Sequence, residues 1–337
     1  MAPEPHQNRP VAVYTDIEDT DVSAGVALLE AAGFEVRVLE TMDPERIIEG
    51  AADATALLVG YAEIDRATLE RLPSVRIVSL MSMGFNNVDI DAASELGKWV
   101  TNVPGVATEE VAAHALALAL GALRGVKEYA EAVTAGEWNS RSEIVQPRVS
   151  GLTLGLVGLG KIGAQLAAYA RPLFARVLAY DPFVPRDEET LAGLEARGIT
   201  LETLETVRRE SHVLSIHTPL TAETERMVDE AFIAKMPRGS YLVNVSRGQL
   251  IDSHAVRAAV ESGHLAGVGL DVLDEEPPTA DHPLLGHPRI TVTPHIAYFS
   301  AFTAAEYVRV QAQNPVTLML TGTPDSPVAG PNTDHTR

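Results

Sequence analysis

The chain has 337 residues, room for two domains of ordinary size, and its 46% hydrophobic and 21% charged content supports a sizeable core rather than global disorder. Against 46 Asp and Glu stand 26 Lys and Arg, a net charge of −20 that repels phosphate backbones and anionic headgroups, so neither nucleic-acid nor membrane partners are expected. Cysteine is absent, which removes disulfides, thiolate metal sites, iron–sulfur clusters and thiol nucleophiles together and fits a reducing cytosol.

Met1–Pro10 is polar and proline-rich with no apolar core of a secretory signal, and a cytoplasmic location is expected. Pro10–Tyr14 reads as a strand, Ser23–Ala32 as a helix and Glu35–Leu39 as a strand. Two more strands, Ala56–Val59 and Ile77–Leu80, flank a helix near Asp65–Leu72. This alternation predicts a parallel sheet covered by helices. A long Ala/Leu-rich helix is expected over Thr108–Ala135. Its most apolar stretch, Val111–Leu123, is shorter than the ~20 residues a membrane span needs and holds His114, read as a packing residue. A loop follows over Gly136–Ser150.

A second α/β series starts at Leu152. Its strands are Thr153–Val157, Arg176–Tyr180, Val213–Ile216, Tyr241–Asn244, Gly267–Leu270 and one near Ile290–Thr293. A closing helix spans Ala301–Leu320, and Thr321–Arg337 reads as a loose tail. The expected division is a first domain from 1–105 and 290–337, with a second domain, 106–289, nested inside it.

The most informative local motif is Gly158-Leu159-Gly160-Lys161-Ile162-Gly163, between an apolar strand and an Ala-rich helix. The first glycine permits a tight turn, the second lets the backbone approach a pyrophosphate, and the third lets the helix pack on the strand. Asp181, at the end of the next strand, can accept hydrogen bonds from both ribose hydroxyls of NAD and would repel the 2′-phosphate of NADP. The expected cofactor is therefore NAD.

Three further segments lie at strand ends: Val243-Asn244-Val245-Ser246-Arg247-Gly248, Asp271-Val272-Leu273-Asp274-Glu275-Glu276-Pro277 and Thr293-Pro294-His295-Ile296-Ala297. Singly, the arginine reads as a surface ion-pair partner, the glutamate as a loop residue and the histidine as a packing group. Together with the glycine loop, in this order and at about these spacings, they closely resemble the D-isomer-specific 2-hydroxyacid dehydrogenase family. The resemblance runs from about Val11 to Leu320. It implies two Rossmann-like domains: a flavodoxin-like substrate domain and a nested dinucleotide-binding domain that close over the cofactor. It also implies hydride transfer between NAD and a small 2-keto or 2-hydroxy acid.

By that resemblance Arg247, Glu276 and His295 are the catalytic trio. The chemistry agrees: a guanidinium fork suits a carboxylate and a keto oxygen, an imidazole suits proton donation near neutrality, and a carboxylate beside it favours the imidazolium. The cofactor site would comprise Gly158, Leu159, Gly160, Lys161, Ile162 and Gly163, then Asp181, Pro182, His217, Thr218, Pro219, Val245, Ser246, Arg247, Asp271, His295 and Thr108. His217, within a segment that matches the family's cofactor cleft, reads as structural.

Met81-Ser82-Met83-Gly84 resembles the family loop whose backbone N–H groups hold the substrate carboxylate, so these four, Arg247, His295 and Tyr298 are the expected substrate contacts. Met83 and Ala304 stand where phosphite dehydrogenases carry lysine and arginine, and Glu276 stands where formate dehydrogenases carry glutamine. Both of those activities are disfavoured. The chain is also too short after His295 for the regulatory domain of long phosphoglycerate dehydrogenases. Tyr298, three residues after His295, resembles the C-terminal-binding-protein branch and opens an alternative, an NAD(H)-sensing corepressor or scaffold with little turnover.

A second alternative is a dehydrogenase for a phosphorylated or phosphonate 2-keto acid. Such a substrate needs further cations, and Lys98, Arg141 and Arg148 are the candidates in nearby segments. No metal site is expected. A homodimer is, through the Ala/Leu-rich helix from Thr108 to Arg124.

Overall fold

The computed structural model describes residues 9–17, 20–138 and 145–331. The chain divides into two compact units, Met1–Ala107 with Ser300–Arg337, and Thr108–Phe299. The first unit opens with β1 (Val11–Tyr14), α1 (Ser23–Ala31), β2 (Glu35–Val38), α2 (Pro44–Gly50), β3 (Ala56–Val59), α3 (Arg66–Arg71), β4 (Ile77–Leu80), α4 (Ile90–Glu95) and β5 (Trp99–Thr101). The second unit starts with α5 (Thr108–Arg124), α6 (Val126–Thr134), β6 (Thr153–Val157), α7 (Lys161–Ala170), β7 (Arg176–Tyr180), α8 (Glu188–Ala196) and β8 (Ile199–Leu201). It continues with α9 (Leu204–Glu210), β9 (Val213–Ile216), α10 (Glu230–Ile233), β10 (Ser240–Asn244), α11 (Ser253–Glu261), β11 (Leu265–Leu270) and β12 (Ile290–Val292). Helix α12 (Ala301–Thr321) and strand β13 (Pro327–Ala329) belong to the first unit again.

The first sheet has the order β13-β5-β4-β3-β1-β2, parallel except for β13. Its five parallel strands follow the flavodoxin-like order 2-1-3-4-5. The second sheet is wholly parallel, β12-β11-β10-β9-β6-β7-β8. Counted from β6 this is the Rossmann order 3-2-1-4-5-6 with one added strand. Strands β1, β3, β4, β6, β9, β10 and β11 are buried along their whole length, as expected where helices cover both faces. Several helices begin on an acid that caps them: Asp43, Asp65 and Asp89 in the first unit, and Asp187, Asp229 and Asp252 in the second, accept first-turn N–H bonds.

Three expectations need correction. The long helix over Thr108–Ala135 is two helices, because Gly125 takes a left-handed conformation (φ +62°) that ends α5. The tail is not loose throughout. β13 pairs with β5, and the Ser326 hydroxyl donates to the Asn102 carbonyl at 2.7 Å. Residues 332–337 lie outside the described residues. Residues 290–299 go with the second unit rather than the first, since β12 hydrogen-bonds to β11.

Helix α12 carries Pro315 in its interior. Proline has no N–H, so the carbonyl of Gln311, four residues back, loses its helix bond. In its place the Ser79 hydroxyl donates to that carbonyl at 2.8 Å, and Thr101 Oγ1 donates to Ser79 Oγ at 3.0 Å. Gln311 Nε2 in turn donates to the carbonyls of Val59 (3.1 Å) and Ser79 (3.0 Å). A break in the helix ladder is thus the place where α12 is hydrogen-bonded to β3 and β4. Ser79→Ala should cost about 1–3 kcal/mol, the usual penalty for a buried polar group left unpaired. Adding Pro315→Ala, which restores an N–H for Gln311, should recover part of the loss. Thermal melts of the wild type, both single variants and the double variant check this, and strictly additive losses would contradict it.

Candidate active site

The turn from β6 into α7 is shaped by its three glycines. Gly158 has φ +99°, and a Cβ there would overlap the carbonyl of His217, just after β9. A Cβ on Gly163 would overlap the carbonyl of Gly158, so glycine here lets α7 close on the turn. Gly160 differs: no protein atom lies within 4 Å of where its Cβ would stand. The turn is tight on its inner side and open beside Gly160, the N-cap of α7, where first-turn N–H groups have no partner inside the helix. β6 and β9 are also the neighbours at which the strand order reverses, the place where open α/β sheets bind ligands.

Asp181 follows β7. Its Oδ2 accepts the Leu159 N–H at 2.8 Å and its Oδ1 the Phe183 N–H at 2.9 Å, so the carboxylate is docked against the glycine turn. Lone pairs remain for two hydroxyls. Pro182 beside it is exposed. His217 bonds Ser215 Oγ through Nε2 at 2.8 Å. Burial pushes its pKa down to about 4, so the ring is neutral near pH 7. Its Nδ1 is buried without a hydrogen-bond partner among the described residues. Thr218 is half-buried and Pro219 exposed. Ser246 Oγ donates to the Ile216 carbonyl at 2.9 Å and ties the end of β10 to that of β9; Val245 beside it is buried. Lys161 and Ile162 start α7, and Thr108 starts α5.

Arg247 sits in a turn built by Asn244, the last residue of β10. Asn244 Oδ1 accepts the Ser246 N–H at 3.0 Å, and its Nδ2 donates to the Arg247 carbonyl at 2.8 Å. Asn244 is fully buried, and an Asn that folds the backbone two residues on is a recognisable turn device. A Cβ on Gly248 would overlap the backbone of Leu273 and Asp274, so this turn lies directly against the loop that carries Glu276. Burial holds the Arg247 guanidinium below its usual range, and the charge of Glu276 opposes that shift.

Burial pushes the Glu276 carboxyl up, but the hydrogen bond and charge of His295, the Leu273 N–H and the charge of Arg247 together outweigh it, and the group ends below its usual range, ionised. Its Oε1 accepts the Leu273 N–H at 2.7 Å, and its Oε2 lies 2.7 Å from His295 Nδ1. His295 has φ +50°, unusual for a non-glycine residue. Its N–H donates to the carbonyls of Asp271 (2.8 Å) and Thr293 (3.0 Å). With Nδ1 held by Glu276, Nε2 is the nitrogen left for a reacting group.

Asp271 is 1% exposed. Its Oδ1 accepts the Ile296 N–H (3.0 Å) and the Thr293 hydroxyl (2.5 Å), and its Oδ2 the Ala297 N–H (2.8 Å). His114 Nε2, from α5, lies 2.9 Å from Thr293 Oγ1. Of these groups, sequence reasoning gives Asn244 and Thr293 no individual role and reads His114 as a packing residue, whereas the structure hydrogen-bonds it to Thr293. The Asn before an arginine turn was a usable signal; nothing in the sequence pairs His114 with Thr293.

The second unit thus brings Arg247, Glu276 and His295 together, and sets the glycine turn, Asp181, His217 and Ser246 at neighbouring strand ends. Tyr298 is half-buried in the same unit and makes an edge-to-face contact with Phe299, ring centroids 6.4 Å apart. Met81, Ser82, Met83 and Gly84 lie in the first unit, after β4. There the carbonyls of Ser82, Met83 and Gly84 accept bonds from Val103 N–H (2.9 Å), Asn102 Nδ2 (2.7 Å) and Ser82 Oγ (2.6 Å). Lys98 is buried and donates to the carbonyls of Leu72 (2.8 Å) and Val75 (2.9 Å), which removes it as a substrate cation. Arg148 is exposed, and Arg141 lies outside the described residues. Among the described residues no helix is long and apolar enough to cross a membrane, and no cluster of three or more His, Asp or Glu could hold a metal.

Residues 116–297, more than half of the chain, match the D-isomer specific 2-hydroxyacid dehydrogenase, NAD binding domain. The chain belongs to this family. It is an NAD-dependent D-2-hydroxyacid dehydrogenase. A glyoxylate reductase of Korarchaeum cryptofilum is 38% identical over 272 residues, 80% of either chain. A D-3-phosphoglycerate dehydrogenase of Archaeoglobus fulgidus is 34% identical over 79% of this chain and 49% of its own length. The D-lactate dehydrogenase of Aquifex aeolicus, solved with NAD and lactic acid, superposes with a TM-score of 0.83 at 26% identity, over 95% of this chain and all of that one.

The residues present fit NAD. The open side of the turn at Gly160 gives a pyrophosphate room, and the Asp181 carboxylate, docked against the same turn, keeps lone pairs that would suit ribose hydroxyls. A 2′-phosphate beside that carboxylate is repelled. The dehydrogenase should therefore favour NADH over NADPH by tenfold or more in kcat/KM, and Asp181→Ala should narrow the gap. Steady-state kinetics with both cofactors read this directly, and equal values for the unmutated chain would contradict it.

Proposed function

We propose that this dehydrogenase reduces a small 2-keto acid with an uncharged substituent, such as glyoxylate or hydroxypyruvate, to the D-2-hydroxy acid, or runs the reverse reaction. The observation that carries the reading is the 2.7 Å contact between His295 Nδ1 and Glu276 Oε2, beside the partly desolvated Arg247. NADH, bound along the glycine turn, supplies the hydride to the keto carbon. His295 Nε2 gives its proton to the keto oxygen, so the carbonyl gains one hydride and one proton and the imidazole is left neutral until solvent reprotonates it. Glu276 orients the ring through Nδ1. Arg247 holds the substrate carboxylate and the keto oxygen.

The turn Met81–Gly84, in which the carbonyls of Ser82, Met83 and Gly84 are engaged, is read as a set of N–H donors for the same carboxylate. Tyr298 is assigned to the substituent on the keto carbon. The Asp181 carboxylate and the remaining cofactor residues serve as expected from the family resemblance. We also take the protein to act as a homodimer, with Val126 and Val133 of α6 and Trp138 among the apolar residues exposed in the single chain.

His295→Ala should lower kcat by about 10²–10⁴-fold while NADH affinity is retained. Glu276→Gln should lower kcat as well, because the carboxylate that holds His295 Nδ1 at 2.7 Å is gone. Turnover and NADH fluorescence titrations across pH 5–9 measure both. Unchanged kcat in His295→Ala would remove that residue from the mechanism, and tight NADH binding without turnover on any 2-keto acid would favour the sensor reading.

Among substrates, hydroxypyruvate should exceed its phosphorylated counterpart in kcat/KM by at least tenfold, about 1.4 kcal/mol. The physical reason is that Lys98 is spent on backbone carbonyls, and a second buried anion without a cation is costly. A tenfold preference the other way would mean that a cation elsewhere serves the pocket.

A further inference from the structure

The Thr293 hydroxyl has one hydrogen and three polar neighbours in the second unit. Asp271 Oδ1 lies at 2.5 Å, His114 Nε2 at 2.9 Å and the Leu270 carbonyl at 3.3 Å. Asp271 Oδ1 is only an acceptor when ionised, so the short contact requires the Thr293 hydrogen to point at it. The hydroxyl oxygen then faces His114 with lone pairs, and His114 must donate from Nε2. The opposite tautomer would take the Thr293 hydrogen and leave two oxygens 2.5 Å apart with no proton between them. The geometry therefore settles both the His114 tautomer and the direction of the chain His114 → Thr293 → Asp271.

Asp271 is the other end of that chain. Its two oxygens accept the N–H groups of Ile296 and Ala297, immediately after His295, and its own carbonyl accepts the His295 N–H. His295 stands in the left-handed region at φ +50°, a conformation that persists only where the surroundings over-determine it. The carboxylate of Asp271 supplies that over-determination. Anything that turns the Thr293 hydroxyl away from Asp271 loosens one of its grips on the turn.

We propose that His114 is a positioning residue for the dehydrogenase reaction: as an Nε2–H donor it orients the Thr293 hydroxyl onto Asp271, and so holds the backbone turn that presents His295 Nε2 to the substrate. The inference rests on the role given to His295 above. It differs from the expectation that His114 only fills space in α5. His114 is a quarter exposed at its side chain; its Nε2 lies 3.6 Å from Asp271 Oδ1, beyond hydrogen-bond distance, and 2.9 Å from Thr293 Oγ1, so its hydrogen-bonded route to the turn runs through Thr293.

The test compares His114→Leu, His114→Gln, Thr293→Val and the double variant His114→Leu/Thr293→Val, with His295→Ala alongside, all in the full chain. Leucine keeps bulk without a donor; glutamine restores an amide N–H at about the same reach. His114→Leu should lower kcat about three- to tenfold, the range of one hydrogen bond, with KM and NADH affinity within twofold of wild type. His114→Gln should recover most of the loss. The double variant should be no slower than Thr293→Val alone, because both act through one hydroxyl. Wild-type kcat in His114→Leu overturns the proposal. So does equal impairment of the leucine and glutamine variants with weakened NADH binding, which would mark a packing role. Full turnover in His295→Ala would overturn the role of His295 and this proposal with it, whereas an inactive His295→Ala beside a fully active His114→Leu would remove only the role of His114.

Discussion

The second unit is organised around one close approach. At the point where the strand order reverses, the backbone of Gly158 lies against the carbonyl of His217, and Gly163 brings α7 against the carbonyl of Gly158. No side chain fits at either place. Because the inner side of the turn is closed by backbone, its open side at Gly160 is fixed in position, and α7 points its unpaired N–H groups from a defined place. His217 is pressed into the same contact and becomes neutral by desolvation. Ser246 is bonded to the residue just before His217, so the arginine turn inherits its position from the same contact.

The placement of His295 depends on a second constraint, two carboxylates that hold it from different sides, Asp271 buried and Glu276 about a third exposed. Glu276 and Asp271 are close in sequence but differ in what they hold. Glu276 keeps one oxygen on a backbone N–H and gives the other to an imidazole, so a side chain is oriented. Asp271 spends both oxygens on the residues around His295, so a backbone turn is oriented. A buried acid such as Asp271 is tolerable only when paired or hydrogen-bonded, and each of the two carboxylates is satisfied in a way that fixes a different part of the same histidine. The position of Nε2 depends on both, since a ring in the right rotamer on a misplaced turn is displaced by as much as a misoriented ring.

Burial also decides what the remaining cations can do. Arg247 is partly desolvated, and the charge of Glu276 opposes the effect of that burial. Lys98 is buried as well, but its ammonium is consumed by the carbonyls that end α3. Residue type alone made both candidates for anion binding; only their partners separate them.

Much of this was legible locally. Strands such as Ala56–Val59, Thr153–Val157 and Val213–Ile216 occupy the residues expected of them, because a fully buried parallel strand is a short apolar run bounded by turn residues. The glycine turn and the trio segments were legible because each concentrates its chemistry within a few residues at a strand end. The end of α5 was hidden, since a glycine inside an Ala/Leu-rich run does not announce a left-handed φ. β13 was hidden because three residues, Pro-Val-Ala, inside a segment rich in Pro and Gly look like a tail until β5 offers them a partner. The roles of Ser79, Lys98 and His114 were decided by tertiary structure alone. His114 and Thr293 are 179 residues apart, and Ser79 and Gln311 are 232 apart. Local pattern encodes backbone conformation and which face is apolar. It carries no information on which distant hydroxyl, carbonyl or imidazole will meet, because that is set by the order of strands in the sheet and the seating of helices upon it.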